Sequence, residues 1–152
     1  MASPMAENIT LPVRRILELY RALNSLDAVK QGHDEIVPLE FSGLVRAKIV
    51  ANCVTLDPLV RAHETTDRLL AKQHGVIVDQ KGDTPASAQA MDAYLRSVHE
   101  ALDLQRDVAL ERIRLVDILR RPGDPKNQKL NPVPQSVLNR LAQILDFDGL
   151  ES

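Results

Sequence analysis

The sequence predicts a mainly all-α protein, built on an elongated antiparallel hairpin of two long helices with a further helix at each end of the chain. Three observations support this fold class. Apolar residues recur every three or four positions over long segments, prolines and glycines stand at the ends of these segments, and the composition is that of a globular protein. Of the 152 residues, 44% are hydrophobic and 26% are charged, which is an ordinary balance for a folded domain.

Charge and aromatic content exclude several classes of function. Nineteen Lys and Arg stand against 21 Asp and Glu, so the net charge is -2 and no overall positive field attracts nucleic acid or anionic lipid. Two Phe, two Tyr and no Trp are too few for a surface on which bases stack. We therefore expect neither nucleic acid nor membrane as a partner.

The single cysteine and the N-terminal residues predict a cytoplasmic protein. Cys53 has no second cysteine with which to form a disulfide within one chain or a thiolate zinc site. The first residues have neither the charged nor the apolar region of a signal peptide. No apolar run approaches the roughly 20 residues that cross a bilayer.

The first helix is predicted after Thr10-Leu11-Pro12. Thr10 can cap a helix, and Pro12 suits a first turn, where its missing N–H has no helical partner. Apolar residues then follow at helical spacing, and the polar segment from Gln31 to Asp34 is predicted to end the helix. The next segment, 36–41, reads as extended chain because Pro38 disfavours helix in the residue before it.

The longest helix is predicted from Ser42, a good N-cap, to Gly75, which suits the left-handed residue after a helix. Pro58 interrupts this segment and indicates either one kinked helix or two helices meeting at Asp57. We favour a single kinked helix, because the apolar stripe keeps its phase across the proline. The stripe consists of Val45, Ile49, Asn52/Cys53, Leu56, Leu59/Val60, His63, Asp67 and Leu70.

A third helix is predicted to open at Thr84-Pro85. Its apolar residues step by three and four, as in a short coiled-coil seam: Ala88, Met91, Leu95, Val98 and Leu102. Residues 107–116 alternate in polarity and are predicted to be extended, although Leu104, Val108, Leu115 and Leu119 also fit a continuing helix. A strand there needs a partner, either Val76–Val78 or a second chain, so short strand pairing is part of the predicted fold.

Prolines divide the chain into three predicted parts. Residues 1–121 form the helical hairpin domain, 122–134 form a Pro-rich linker, and 135–152 form a C-terminal helix with an acidic tail. The last helix carries one narrow apolar face of Leu138, Leu141 and Leu145.

The length of the second helix predicts a homo-oligomer. About 32 helical residues extend roughly 48 Å, whereas a sphere of 152 residues is about 40 Å across. The apolar stripe of such a hairpin is only partly covered by its own chain, and a second copy can cover the rest. The predicted interface residues are Val45, Ile49, Leu56, Leu95, Val98 and Leu102 in the hairpin, with Leu138, Leu141 and Leu145 in the last helix.

Two histidine and aspartate pairs suggest a second class of function. His63 and Asp67 stand one helical turn apart, as do His99 and Asp103, so two helices could supply a metal site in a bundle. In a hairpin that turns near residue 80, however, His63 lies opposite Arg96, and a polar layer becomes the simpler interpretation. No cofactor is predicted.

The segment from Arg106 to Lys129 is the only cationic stretch of the chain. Arg120 and Arg121 stand before a Pro-Gly turn and could contact an acidic partner. Asp107, Glu111 and Asp117 are interleaved with the basic residues, which favours a solvated surface held by salt bridges.

Several segments together resemble a family of small phage-encoded helical proteins of unknown function. These segments are Leu19–Leu26, Phe41-Ser42-Gly43 at the start of the long helix, Lys72-Gln73-His74-Gly75 at its end, Asp107–Ile113 and Pro134–Leu138. The resemblance covers residues 10 to 147 in order. It implies a phage or prophage context and no catalytic residues.

The sequence as a whole predicts a non-enzymatic protein that binds other protein surfaces, itself included, in the cytoplasm of a host cell or in a virion. A virion or assembly role and inhibition of a host system both remain open. The alternatives are the metal-binding bundle and a small-ligand binder formed between subunits.

Overall fold

A computed structural model describes residues 6–31, 35–76, 87–122 and 130–147. Within these residues the protein is mainly helical, with short strands paired two by two. The helices are α1 (Val13–Asn24), α2 (Gly43–Gln73), α3 (Ala88–Leu102), α4 (Leu115–Leu119) and α5 (Gln135–Leu141). The strands are β1 (Ala6–Pro12), β2 (Ala28–Gln31), β3 (Glu35–Pro38), β4 (Gln105–Glu111), β5 (Ile113–Arg114) and β6 (Leu145–Asp146).

Helix α2 is one continuous helix through Pro58, as predicted. The Ser42 hydroxyl accepts a hydrogen bond from the Val45 N–H at 3.2 Å, and Gly75 adopts a left-handed φ of 68° after the last turn. Pro58 is exposed, so the Val54 carbonyl that loses its helical partner faces water rather than the core.

The N-terminal segment is a strand, not the start of the first helix. β1 pairs antiparallel with β4, from Ala6 opposite Glu111 to Pro12 opposite Gln105. The expectation that 107–116 is extended is confirmed for 107–111 and for β5 but is wrong for Leu115 and Val116, which begin α4. β4 pairs with β1, which is not among the predicted partners, and β5 pairs with β6. The Thr10 hydroxyl, predicted to cap α1, instead donates to the Asp107 carboxylate across the two strands.

Helix α1 begins at Val13 and ends at Asn24, well before the predicted stop at 31–34. Its first N–H donates to the Leu104 carbonyl at 2.9 Å, which replaces a side-chain cap. A 3₁₀ turn follows, and β2 then pairs with β3. The Ser25 hydroxyl donates to the Ala22 carbonyl at 2.7 Å at the end of the helix, and backbone pairing with 35–38 then holds 28–31 in an extended form.

Helix α3 begins later than predicted. Ser87 is its N-cap, and the Ser87 hydroxyl accepts a hydrogen bond from the Ala90 N–H at 3.1 Å. The predicted cap, Thr84-Pro85, lies outside the described residues, as do 77 and 78 of the Val76–Val78 segment. The last helix is also shorter than predicted: α5 ends at Leu141, and a 3₁₀ turn leads to β6, which runs parallel to β5.

One hydrophobic core joins α1, the first half of α2, β4 and the C-terminal segment. α1 packs on α2 on one side and on α5 on the other. The buried residues include Ile16, Leu19, Leu23, Leu26, Leu56, Leu110, Ile118, Leu141, Ile144 and Leu145. The C-terminal helix therefore shares the core of the preceding residues.

Two buried asparagines connect these elements through their amide groups. Asn52 of α2 donates to the Glu111 carbonyl at 2.9 Å and accepts from the Glu111 N–H at 2.8 Å. Asn131 binds the Glu40 backbone in the same two-way manner, at 2.8 and 3.0 Å, and also donates to the Ile118 carbonyl. Each amide thus pairs with backbone N–H and C=O groups in the way that a neighbouring strand would. Its own polar atoms are also hydrogen-bonded.

We predict that Asn52→Ala lowers the free energy of unfolding by about 2–4 kcal/mol, because it leaves the N–H and the carbonyl of Glu111 buried without partners. Urea unfolding followed by circular dichroism measures this loss. Asn139→Ala, at an exposed position of α5, is the matched control and should change stability by less than about 0.5 kcal/mol. Equal stability of the Asn52 variant and the control would show that the hydrogen bonds between Asn52 and the Glu111 backbone contribute nothing to the free energy of unfolding.

Candidate interaction surfaces

The predicted hairpin interface residues fall into two groups of different exposure. Val45, Ile49 and Leu56 are buried within the chain on the inner face of α2, which packs mainly on α1 and β4. Leu141 and Leu145 are buried in the same core, and Leu138 is partly buried against it.

Helix α3 differs from every other long element because none of its side chains is buried. Leu95 is 46% exposed and Met91 is 38% exposed, while Val98 and Leu102 are half-buried. These four residues lie three or four positions apart and form one apolar edge of the helix. We call this the α3 edge.

Polar contacts hold α3 against the second half of α2. The Tyr94 hydroxyl donates to the Asp67 carboxylate, and this hydrogen bond raises the pKa of Tyr94. The His74 ring nitrogen Nε2 lies 3.2 Å from the Ser97 hydroxyl. Beyond Val60, no residue of α2 is buried, so this half of the helix has a weaker apolar anchor than the first half.

A second apolar stripe follows the outer side of α2, and sequence reasoning missed it. Leu44, Val54 and Leu69 are 68%, 66% and 59% exposed. The stripe steps by three and four residues through Leu44, Ala47, Ala51, Val54, Pro58, Ala62, Thr65 and Leu69, which places these residues on one face. We call it the outer face of α2. The signal was present in the sequence, but the stronger inner stripe accounted for the helix without it.

The histidine and aspartate pairs proposed for a metal site have separate partners in the structure. Asp67 accepts from Tyr94, Asp103 forms an ion pair with Arg14 at 2.9 Å, and His99 is exposed. His63 lies in the groove between α1 and α2. Among the described residues, no three His, Cys, Asp or Glu side chains come close enough together to bind a metal ion.

A polar network joins α1 to the middle of α2. The Tyr20 hydroxyl donates to one oxygen of Asp57 at 2.8 Å, and Arg61 donates to the other at 2.7 Å. These two contacts lower the pKa of Asp57, and the Tyr20 contact in turn raises the pKa of Tyr20. The geometry of these contacts is that of a link between two helices.

Cys53 lies beside this network, half-buried, and its thiol donates a long 3.8 Å contact to Asn24. Burial raises the pKa of the Cys53 thiol, which keeps it protonated and unreactive at neutral pH. Asn24 itself is exposed.

The two arginines proposed as partner contacts lie close to the buried Asn131. Arg120 forms an isolated β-bridge with Leu130 and is exposed. The Arg121 guanidinium lies 4.0 Å from the Glu40 carboxylate, at the limit of an ion pair. Its Nε atom is buried and has no hydrogen-bond partner among the residues that the structure describes. Both residues therefore border a packed region rather than project from a free loop.

Comparison of the chain with protein-family models, curated proteins and solved structures found no match. In the part of the chain that the structure describes, no helix is both long and apolar enough to span a bilayer.

We predict that the Asp57 network stabilises the fold in a pH-dependent way. The pKa of Asp57 is lowered in the folded state, so its contribution is present above the unfolded pKa of about 3.9 and is lost as the pH falls through the lower folded value. Asp57→Asn should reduce the melting temperature at pH 7, and the difference from the unmodified protein should shrink below about pH 4. A difference that stays constant from pH 7 to pH 2.5 would contradict the network.

Proposed function

We propose that this chain is a non-enzymatic, phage-type protein that acts by binding protein surfaces, both a second copy of itself and another protein. The observation that carries the proposal is α3, a 15-residue helix with no buried side chain and an exposed apolar edge. Catalytic chemistry has no comparable support, because Asp57 and Asp67 beside the α1–α2 groove accept hydrogen bonds from tyrosine and arginine side chains.

The stability of α3 supports a binding role. Isolated helices of 12–15 residues are marginal in water, and most helical stability in proteins comes from packing of an apolar face. α3 gains a serine cap and two polar contacts to α2, each of which contributes about 1 kcal/mol. Covering the α3 edge with a partner would supply the missing apolar burial.

The elongated antiparallel hairpin of α2 and α3 is part of this proposal. Its support is that α3 contacts the second half of α2, with Tyr94 at Asp67 and Ala101 further along α3 in the same groove as Ala62. In such a hairpin the α3 edge runs beside α2 for about three helical turns. An apolar helix face of this kind is what binds another helix or a groove in helix-mediated recognition.

The phage context comes from the resemblance of the sequence to small phage-encoded helical proteins. In that context, the partner belongs either to the virion and its assembly or to a host system that the protein inhibits. Both roles place the protein in the host cytoplasm, and the first also places it in the virion.

The α3 edge is tested with two variants of equal charge, one with the charge on the edge and one with it on another side of α3. Leu95→Glu puts a carboxylate in the middle of the edge, whereas Gln89→Glu adds the same charge at an exposed position on another side of α3. A protein that copurifies with the unmodified chain from phage-producing cells is identified, purified separately and titrated against all three proteins by calorimetry. We expect Leu95→Glu to raise Kd at least tenfold and Gln89→Glu to leave it within twofold.

Two results would overturn the role of the α3 edge. One is equal affinity of all three proteins for the purified partner. The other is loss of affinity in both variants, which would assign the effect to net charge. Circular dichroism of each variant confirms that α3 is folded before the titration.

A further inference from the structure

We propose that the outer face of α2 is the interface between two copies of this chain, packed antiparallel about a two-fold axis near the middle of the helix. This inference rests on the proposed function, because it assigns one of the two exposed helix faces to self-association and leaves the α3 edge for the other protein.

The spacing of the outer face indicates that its occupant is a helix. Steps of three and four residues over more than three heptads match the pattern with which side chains of one helix fit between those of another. Three of its residues are alanines, at 47, 51 and 62, and small residues let two helix backbones approach closely.

The order of side-chain sizes indicates that the second helix is a copy of the first. From either end, the face begins with a leucine, continues through small residues and reaches Val54 or Pro58 at its centre. With a two-fold axis between positions 56 and 57, Leu44 lies opposite the second copy's Leu69, and Ala51 lies opposite the second copy's Ala62. A two-fold interface needs this self-complementarity, because a residue that contacts a position of the second copy is itself contacted at its own position in the second copy by the same pairing.

Charge selects the antiparallel orientation. Arg61, Arg68 and Lys72 border the second half of the outer face. Parallel pairing in register would place each of them beside its own counterpart. Antiparallel pairing separates the two Arg61 positions by about 13 Å along the axis and the others by more, which exceeds the screening length of about 8 Å at physiological salt.

The area of the face indicates a weak dimer. From Leu44 to Leu69 the helix extends about 38 Å with a width of 10–12 Å, so the area of the face is about 400 Å². This area is below the roughly 600 Å² per partner of the smallest standard interfaces. Exposed Val50, beside the stripe, adds to the contact. We therefore expect dissociation in the micromolar range rather than a permanent dimer.

Disulfide trapping tests the arrangement. In a Cys53→Ser background, Ala51→Cys and Ala62→Cys proteins are oxidised separately and as a mixture at about 100 µM, above the dissociation range of a weak interface. The mixture should form 51–62 disulfide dimers at least tenfold faster than either protein forms its own dimer. In the proposed register, two Ala51 positions are about 16 Å apart, well beyond the 4.4–6.8 Å between Cα atoms that a disulfide spans.

Predominant 51–51 and 62–62 dimers would show parallel pairing and overturn the inference, and equal slow rates for all pairs would show that the face does not self-associate. Sedimentation equilibrium supplies a second readout that needs no engineered cysteine. Val54→Asp should raise the dimer Kd at least tenfold, whereas Leu95→Glu should leave it unchanged.

The outcomes also separate this inference from the proposed function. If the unmodified chain is monomeric to several hundred micromolar but Leu95→Glu still loses the other protein, self-association through α2 is wrong and the binding role stands. If the chain dimerises as described but no protein depends on the α3 edge, the reverse holds.

Discussion

The contact on which this structure depends is the pair of hydrogen bonds between the Asn52 amide and the backbone of Glu111. It joins α2 to the β1–β4 sheet by groups with a fixed direction, and the buried residues around it are mainly apolar. A buried amide that lost these partners would incur a desolvation cost, so the helix cannot rotate about its axis. Because that rotation is fixed, the inner stripe lies in the core and the outer face of α2 lies in water.

The hydrophobic core covers only part of α2 and none of α3 completely. The core covers α2 from Val45 to Val60. Beyond that point α3 packs on the helix, and α1 borders only its next two turns. The second half of α2 and the whole of α3 are held by a tyrosine, a histidine and half-buried apolar contacts. The exposed α3 edge and the outer face of α2 lie on this extension or run onto it, and they are the two surfaces that we propose for binding.

Much of α2 could be predicted from the sequence, because its signals are local. Ser42, Pro58 and Gly75 each act on the residues within one turn of them. The strand β1 could not be predicted in this way, since Thr10 and Pro12 suit a helix start as well as the end of a strand, and its partner lies almost 100 residues away. Apolar periodicity identified Val45, Ile49 and Leu56 as an interface, but it does not say which element packs there. The hairpin interpretation favoured α3, whereas the structure places mainly α1 and β4.

Hydrogen exchange at several protein concentrations tests whether the core alone stabilises residues 45–60 of α2. It also tests whether residues 61–73 and α3 depend on association. The account predicts slow exchange in 45–60 at every concentration. It also predicts faster exchange in 61–73 and 88–102 that slows as the concentration rises through the micromolar range. Uniform protection of both halves in dilute solution, unchanged on concentration, would contradict it.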